Sequence, residues 1–190
     1  CTGLYSPGTG GLKAMKNVVL IGFMGTGKTS AGRILANRLG YAFVDVDQKI
    51  EAANKMSIKE MFAQHGEAYF RSCEKVMVKQ LAARHHAVIS TGGGTVKDSE
   101  NMQELRKHGV VIALTANVDV ILERTGRRGT RPVLDRADHG DRRSAVAQLL
   151  ESRGELYAQA DYTVDTSMLS PMQVVDDIQR FLRREGAIRA

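Results

Sequence analysis

Tryptophan is absent from the 190-residue chain, and its aromatics are five Tyr and five Phe. That is too few for the stacked platforms that grip single-stranded bases. Only two cysteines occur, Cys1 and Cys73, with no C-x-x-C pair. A disulfide framework and a cysteine-built zinc site are thereby excluded, and a reducing, cytoplasmic compartment is expected. The five His show no ligand spacing and are expected at the surface. No long apolar run exists: 18–24 is the longest, and Gly22 interrupts it. A membrane span needs about 20 apolar residues, so no membrane partner is expected. Nor does one sign of charge dominate, with 27 Lys and Arg against 21 Asp and Glu, a net +6. Such a mildly basic balance suits nucleic acid and small anionic ligands equally well.

What remains is the composition of one globular domain, 43% hydrophobic and 25% charged. The chain begins with Cys, and residues 1–13 are rich in Gly, Thr and Ser. We expect 1–14 to be an extension outside the fold and 15–190 to form a single domain; a mature lipoprotein, which also begins with Cys, is the lesser reading.

Short β-branched runs alternate with helical periodicity. Strands are expected at 18–23, 42–46, 87–90, 110–114 and 162–164. Helices are expected at 28–39, from Gln48, over 67–84, near 99–107, near 118–124, up to about 158, and after Pro171. S-I-K-E at 57–60 is a capping-box pattern, and Ser170 with Pro171 opens the last helix. The strands are too apolar for a half-exposed sheet. The expected fold is α/β: a three-layer α/β/α domain with a parallel sheet of about five strands.

Residues 22–29 read G-F-M-G-T-G-K-T and fit G-x-x-x-x-G-K-[ST] at every fixed position. The string follows an apolar strand and opens a helix, as a phosphate-binding P-loop must. Its glycines let backbone N–H groups turn toward phosphate oxygens. Lys28 can reach the β- and γ-phosphates, and the Thr29 hydroxyl can ligate Mg²⁺. A Gly-rich turn binding nothing would need neither Lys28 nor Thr29. The loop therefore points to nucleotide use, but a switch protein and a small-molecule kinase share it.

Asp45 and Asp47 close the second strand in D-V-D and, at period two, point the same way. We assign Asp45 to the hydration shell of Mg²⁺ and Asp47 to an acceptor hydroxyl, as orienter or general base. An Asp pair that merely caps the next helix is the competing reading. The third strand runs into Gly92, Gly93 and Gly94, where a ligand can lie against bare backbone or the chain can simply turn. Arg71 and Glu74 share one helix face, either as a solvated ion pair or as a guanidinium preset for a substrate carboxylate. Residues 125–141 are Arg-rich and aperiodic. A basic loop or nucleic-acid patch would have that composition, as would a lid closing arginines over a triphosphate.

Taken in order, the motifs resemble the shikimate kinases over essentially all of 16–185. The likeness rests on the P-loop, D-V-D, F-R-S-C-E at 70–74, T-G-G-G at 91–94, R-T-G-R-R-G-T-R-P-V-L at 124–134 and S-R-G-E-L-Y at 152–157. It implies a nucleoside-monophosphate-kinase-like P-loop fold, sheet order 2-3-1-4-5, with a mobile lid over about 125–141. It implies transfer of the ATP γ-phosphoryl group to the 3-hydroxyl of shikimate, in aromatic amino-acid biosynthesis, by a monomer. ATP is then expected on Gly25, Thr26, Gly27, Lys28, Thr29 and Ser30, with Arg124 against adenine and Arg131 on the phosphates. Shikimate is expected on Asp47, Arg71, Gly92, Gly93, Gly94 and Arg153. Lys28, Asp47 and Arg131 carry the catalysis, and Mg²⁺ sits on Thr29 and, through water, Asp45. Residues 166–171 fall where the family closes over the base. Two departures stand out: R-P-V-L where R-P-L-L is commoner, and the charged R-A-D-H-G-D-R-R that comes after it. Another P-loop kinase, for gluconate or a nucleoside monophosphate, is the alternative enzyme. A nucleotide-dependent binding module and a basic nucleic-acid binder are the alternatives outside enzymology.

Overall fold

A strand apolar over successive residues must be covered on both faces, and β1 (Asn17–Ile21), apolar after Asn17, is buried throughout. A computed structural model describes residues 16–126 and 139–188, the side chains of 139 and 140 excepted. In it β1 lies at the centre of a five-stranded, all-parallel sheet of order β2-β3-β1-β4-β5. The other strands are β2 (Ala42–Asp45), β3 (Ala87–Ser90), β4 (Gly109–Thr115) and β5 (Tyr162–Asp165). The expected topology and three layers are what is found.

Side chains alternate across the sheet. Val19 and Ile21 join one core with α2 (Val46–Asn54), α3 (Ile58–His65), α4 (Glu67–Ala82), α5 (Ser99–Lys107), α6 (Val118–Thr125) and α7 (His139–Ala158). Val18 and Leu20 face α1 (Lys28–Leu39) and α8 (Pro171–Arg184) in the other. Gly40 ends α1 in the left-handed conformation, its N–H donating to the carbonyls of Ala36 and Asn37. Ser57 and Ser170 close complete capping boxes, with Pro171 in the first turn of α8.

Several element boundaries differ from expectation by a residue or two, and three differences matter to the site. β1 ends at Ile21, because the chain turns at Gly22 (φ +143°) before Phe23 is reached. A short 3-10 turn at Thr95–Lys97 follows β3. Most important, D-V-D does not close β2: Asp45 caps α2, and Val46 and Asp47 form its first turn. Among the described residues no helix is long and apolar enough to cross a membrane. The expected extension 1–14, and most of the expected lid, lie outside the described residues.

Parallel strands bring all five carboxyl ends to one edge, where ligands of open α/β sheets sit. At the opposite edge the buried Asn17 acts as a clamp. Its amide donates to the Arg84 carbonyl (2.6 Å) and accepts from the Ala87 N–H (3.0 Å), fastening the entry of β3 to β1. Asn17→Leu should therefore cost about 2–4 kcal/mol, since two backbone groups lose their partner. Urea unfolding checks this, and the binding edge, at the far end of the strands, should keep its affinity for nucleotide.

Candidate active site

The loop from β1 into α1 is shaped by what surrounds it. A Cβ on Gly22 would lie 2.2 Å from the Leu114 carbonyl oxygen, so no larger residue fits beneath β4. Gly27 caps α1 with φ +95°, a conformation that L side chains rarely adopt. Lys28, nearly buried, reaches back along the loop and donates through Nζ to the carbonyls of Gly22 (2.7 Å) and Phe23 (2.9 Å). The Thr26 hydroxyl donates to Phe23 O at 2.8 Å. Arg124, on α6, donates to Gly25 O (3.2 Å) and to both oxygens of Thr166.

A cleft of about 880 Å³ runs from this loop to the end of β3. The expected nucleotide residues Gly25, Thr26, Gly27, Lys28, Thr29, Ser30 and Arg124 line one part of it. Asp45, Asp47, Arg71, Gly92, Gly93, Gly94 and Arg153 line the rest. Arg131 lies outside the described residues.

Asp45 caps α2, as the competing reading had it, and also touches the phosphate loop. One carboxylate oxygen accepts from the Gln48 N–H, capping α2 (3.1 Å), and the other accepts from the Thr29 hydroxyl (3.3 Å). Hydroxyl and carboxylate oxygens side by side are the hard ligands Mg²⁺ selects, and Mg²⁺ ordinarily keeps several waters besides. No cluster of three metal-ligating His, Cys, Asp or Glu occurs among the described residues.

Asp47 lines the cleft from the first turn of α2; the residue is partly buried, and its Oδ1 is fully buried without a hydrogen-bond partner. Burial raises its pKa to about 6; Asp45, Glu74 and Glu51 add to the rise, and Lys28 opposes it. A carboxylate so destabilised is a stronger base than an exposed one, and above pH 6 it is still mostly ionised.

Arg71 is held on three sides. Glu74 accepts from it at 2.9 Å and Glu67 at 3.3 Å, and the Phe70 ring lies 5.1 Å from its guanidinium carbon. Glu74 is only 1% exposed and also accepts from the Thr95 hydroxyl (2.8 Å). The pair is thus no solvated surface contact. Arg153, on α7, donates to the Gly93 carbonyl (3.1 Å) and stands over Phe23.

Each of the three glycines accommodates one charged side chain. A Cβ on Gly92 would lie 2.8 Å from Asp47 Oδ1, one on Gly94 2.5 Å from Arg71 Nη2, and one on Gly93 3.5 Å from Arg153 Nη1. Two contributors make contacts that the sequence motifs do not show. The Tyr157 hydroxyl donates to Gly93 O at 2.6 Å, beside Arg153 on the same carbonyl, and burial raises its pKa so that it stays a donor. Its spacing of four from Arg153 was the available signal, since such residues share a helix face. Thr95 had no signal beyond its place after the glycines. The arrangement combines an anion-binding loop, two guanidinium groups suited to a carboxylate, and a buried base between them.

A family model described as shikimate kinase matches residues 24–183. The chain is 46% identical over 164 residues to a shikimate kinase of Thermodesulfovibrio yellowstonii, covering 86% of this chain and 93% of that one. It is 45% identical over 174 residues to that of Pelotomaculum thermopropionicum, covering 92% and 99%. Among solved structures, a shikimate kinase from Acinetobacter baumannii in complex with shikimate superposes with TM-score 0.85 at 32% identity, over 92% of this chain and 96% of that one. A gluconokinase from Sinorhizobium meliloti, at 18% identity over 90% and 94% of the two chains with TM-score 0.54, shares the fold alone.

Because an added Cβ at Gly92 or Gly94 would meet only the polar end of Asp47 or Arg71, these two glycines should tolerate alanine for folding but not for binding. Gly94→Ala should leave thermal unfolding nearly unchanged and weaken a carboxylate-bearing acceptor about tenfold or more by displacing Arg71. Calorimetric titration beside a melting curve separates the two effects.

Proposed function

We infer the division of labour in this site from one premise: this chain belongs to the shikimate kinase family. The activity is that of an ATP-dependent transferase, moving the γ-phosphoryl group to the 3-hydroxyl of shikimate and releasing ADP, in aromatic amino-acid biosynthesis. The cleft then divides into an acceptor end and a nucleotide end.

The observation that carries the assignment is Asp47, with one buried oxygen unpartnered, between the phosphate loop and two guanidinium groups. Arg71 and Arg153 take the shikimate carboxylate, and their phenyl and backbone supports fix their orientation before binding. With the acid end anchored, Asp47 receives the reacting hydroxyl, orients it and accepts its proton as the γ-phosphoryl group leaves ADP. Gly25, Thr26, Gly27, Thr29 and Ser30 hold the ATP phosphates. Lys28 neutralises charge on the transferring group. Arg124 lies against adenine. Arg131 is assigned to the phosphates on its R-T-G-R-R-G-T-R-P context alone. Thr29 and, through water, Asp45 would hold Mg²⁺, which when bound neutralises charge on the β- and γ-oxygens. We also propose that the protein acts as a cytoplasmic monomer, as the family likeness implies, and that 15–190 is its single domain; light scattering tests whether it is a monomer.

The test is ADP release with ATP and Mg²⁺, comparing shikimate, gluconate, a nucleoside monophosphate and no acceptor. Turnover with shikimate alone is expected; turnover with another acceptor instead would overturn the acceptor-site assignments.

Asp47→Asn should lower kcat roughly a hundred- to thousand-fold with ATP affinity little changed. In the wild type kcat/KM for shikimate should rise with pH through about 6 and then level, as the free enzyme's carboxylate ionises. Stability runs the other way. The folded pKa exceeds the unfolded value, so ionising Asp47 costs stability as pH rises through about 6. Asp47→Asn should therefore gain up to about 2–3 kcal/mol at pH 8 and little at pH 4; a variant no more stable at pH 8 would count against the buried charge. Arg71→Ala should raise the shikimate KM roughly 10- to 100-fold with kcat less affected; an unchanged KM removes it from the carboxylate site.

A further inference from the structure

A peptide plane points its N–H and its C=O in opposite directions. A loop that turns N–H groups inward to phosphate must turn carbonyls outward, and buried carbonyls need donors. In this loop the outward carbonyls have identifiable partners. Lys28 serves Gly22 and Phe23, and Arg124 serves Gly25. The Thr26 carbonyl accepts from a residue of distant sequence, the Thr166 hydroxyl, at 2.8 Å.

Thr166 follows β5 and is 2% exposed. Its N–H donates to the Thr115 carbonyl at 2.8 Å, at the end of β4. Arg124 donates to its hydroxyl oxygen (3.1 Å) and to its carbonyl (2.9 Å). The hydroxyl has one proton and two carbonyls in reach, Thr26 at 2.8 Å and Thr115 at 3.1 Å. Thr115 is already served by the Thr166 N–H, so the proton goes to Thr26. The Gly27 N–H, in the same peptide plane as the Thr26 carbonyl, is then directed away from Thr166.

We propose that Thr166 is a positioning residue for phosphoryl transfer: its hydroxyl fixes the Thr26–Gly27 peptide so that the Gly27 N–H faces the ATP phosphates. This rests on the reading of the loop as the ATP site. It adds a second anchor, from the last strand, to a loop otherwise held from β1 and α6.

The test compares Thr166→Val, which keeps the shape and loses the hydroxyl, with Thr166→Ser, which keeps it. The readouts are the ATP KM, inhibition by inorganic tripolyphosphate, the shikimate KM and the melting temperature. Thr166→Val should weaken ATP and tripolyphosphate by the same factor, about tenfold, and leave the shikimate KM unchanged; Thr166→Ser should restore both. Weakening of ATP without tripolyphosphate would place Thr166 on the base and overturn the proposal. A lowered melting temperature with both unchanged would make it merely structural, and also overturn it. Should the valine variant not fold, Thr166→Ala carries the same comparison. The wild type in the same assay separates the two levels: no turnover with shikimate would sink the functional reading itself.

Discussion

Backbone direction is the constraint on which everything else in this molecule depends. Five parallel strands end at one edge, so five chain turns meet there and each contributes to building the cleft. β1 supplies the phosphate loop, β2 the Asp45 cap, β3 the glycines and β5 Thr166, while β4 contributes the Thr115 carbonyl that Thr166 is bonded to. The helices then carry the long charged side chains in from above: Arg71 on α4, Arg124 on α6 and Arg153 on α7. An antiparallel sheet would split these turns between two edges, and no single cleft could be assembled.

Within the cleft two buried carboxylates are treated in opposite ways. Glu74 has Arg71 and Thr95 as partners, and it functions as a support whose charge is compensated. Asp47 has an orphan oxygen and three carboxylates around it, against which Lys28 is the favourable charge. Burial of an unpaired charge is costly and persists only where the surrounding structure enforces it. Here the enforcement is local. Val46, fully buried in the first turn of α2, and the Asp45 cap fix the turn that aims Asp47 into the cleft.

Features encoded by neighbours in sequence were legible; those encoded by distant ones were not. The phosphate loop, both capping boxes and the end of α1 at Gly40 depend on a few adjacent residues, and their positions could be read directly. Sheet order came from the family likeness of several motifs together. D-V-D was misplaced because alternating polar and apolar residues look like strand, while the helix start shows only in the cap that Asp45 makes. Arg71 with Glu74 left two readings open, since the burial of Glu74 depends on the turn at Thr95. Thr166 and Tyr157 were legible as members of motif segments but not in their contacts, because each acts on a carbonyl far away in the chain. The three glycines could be read as bare backbone, but not as three separate berths for Asp47, Arg153 and Arg71.

The position of β1 also bears on how the protein is made. Among the described strands it is the first to be synthesised, and it is the central strand of the finished sheet, pairing Val18 with Val88 on one side and Val110 on the other. The first of these partners is made only after α1, β2, α2, α3 and α4, and the second later still. α8, which packs against α1, is the last of the described elements to be made. The nascent chain therefore carries its most apolar segment without a sheet to hold it for much of translation, a topology of long-range contacts that folds slowly. Two of the phosphate loop's contacts, the Leu114 carbonyl beside Gly22 and the Thr166 hydroxyl on the Thr26 carbonyl, join it only once β4 and β5 have been made. The loop therefore precedes in synthesis the strands that brace it.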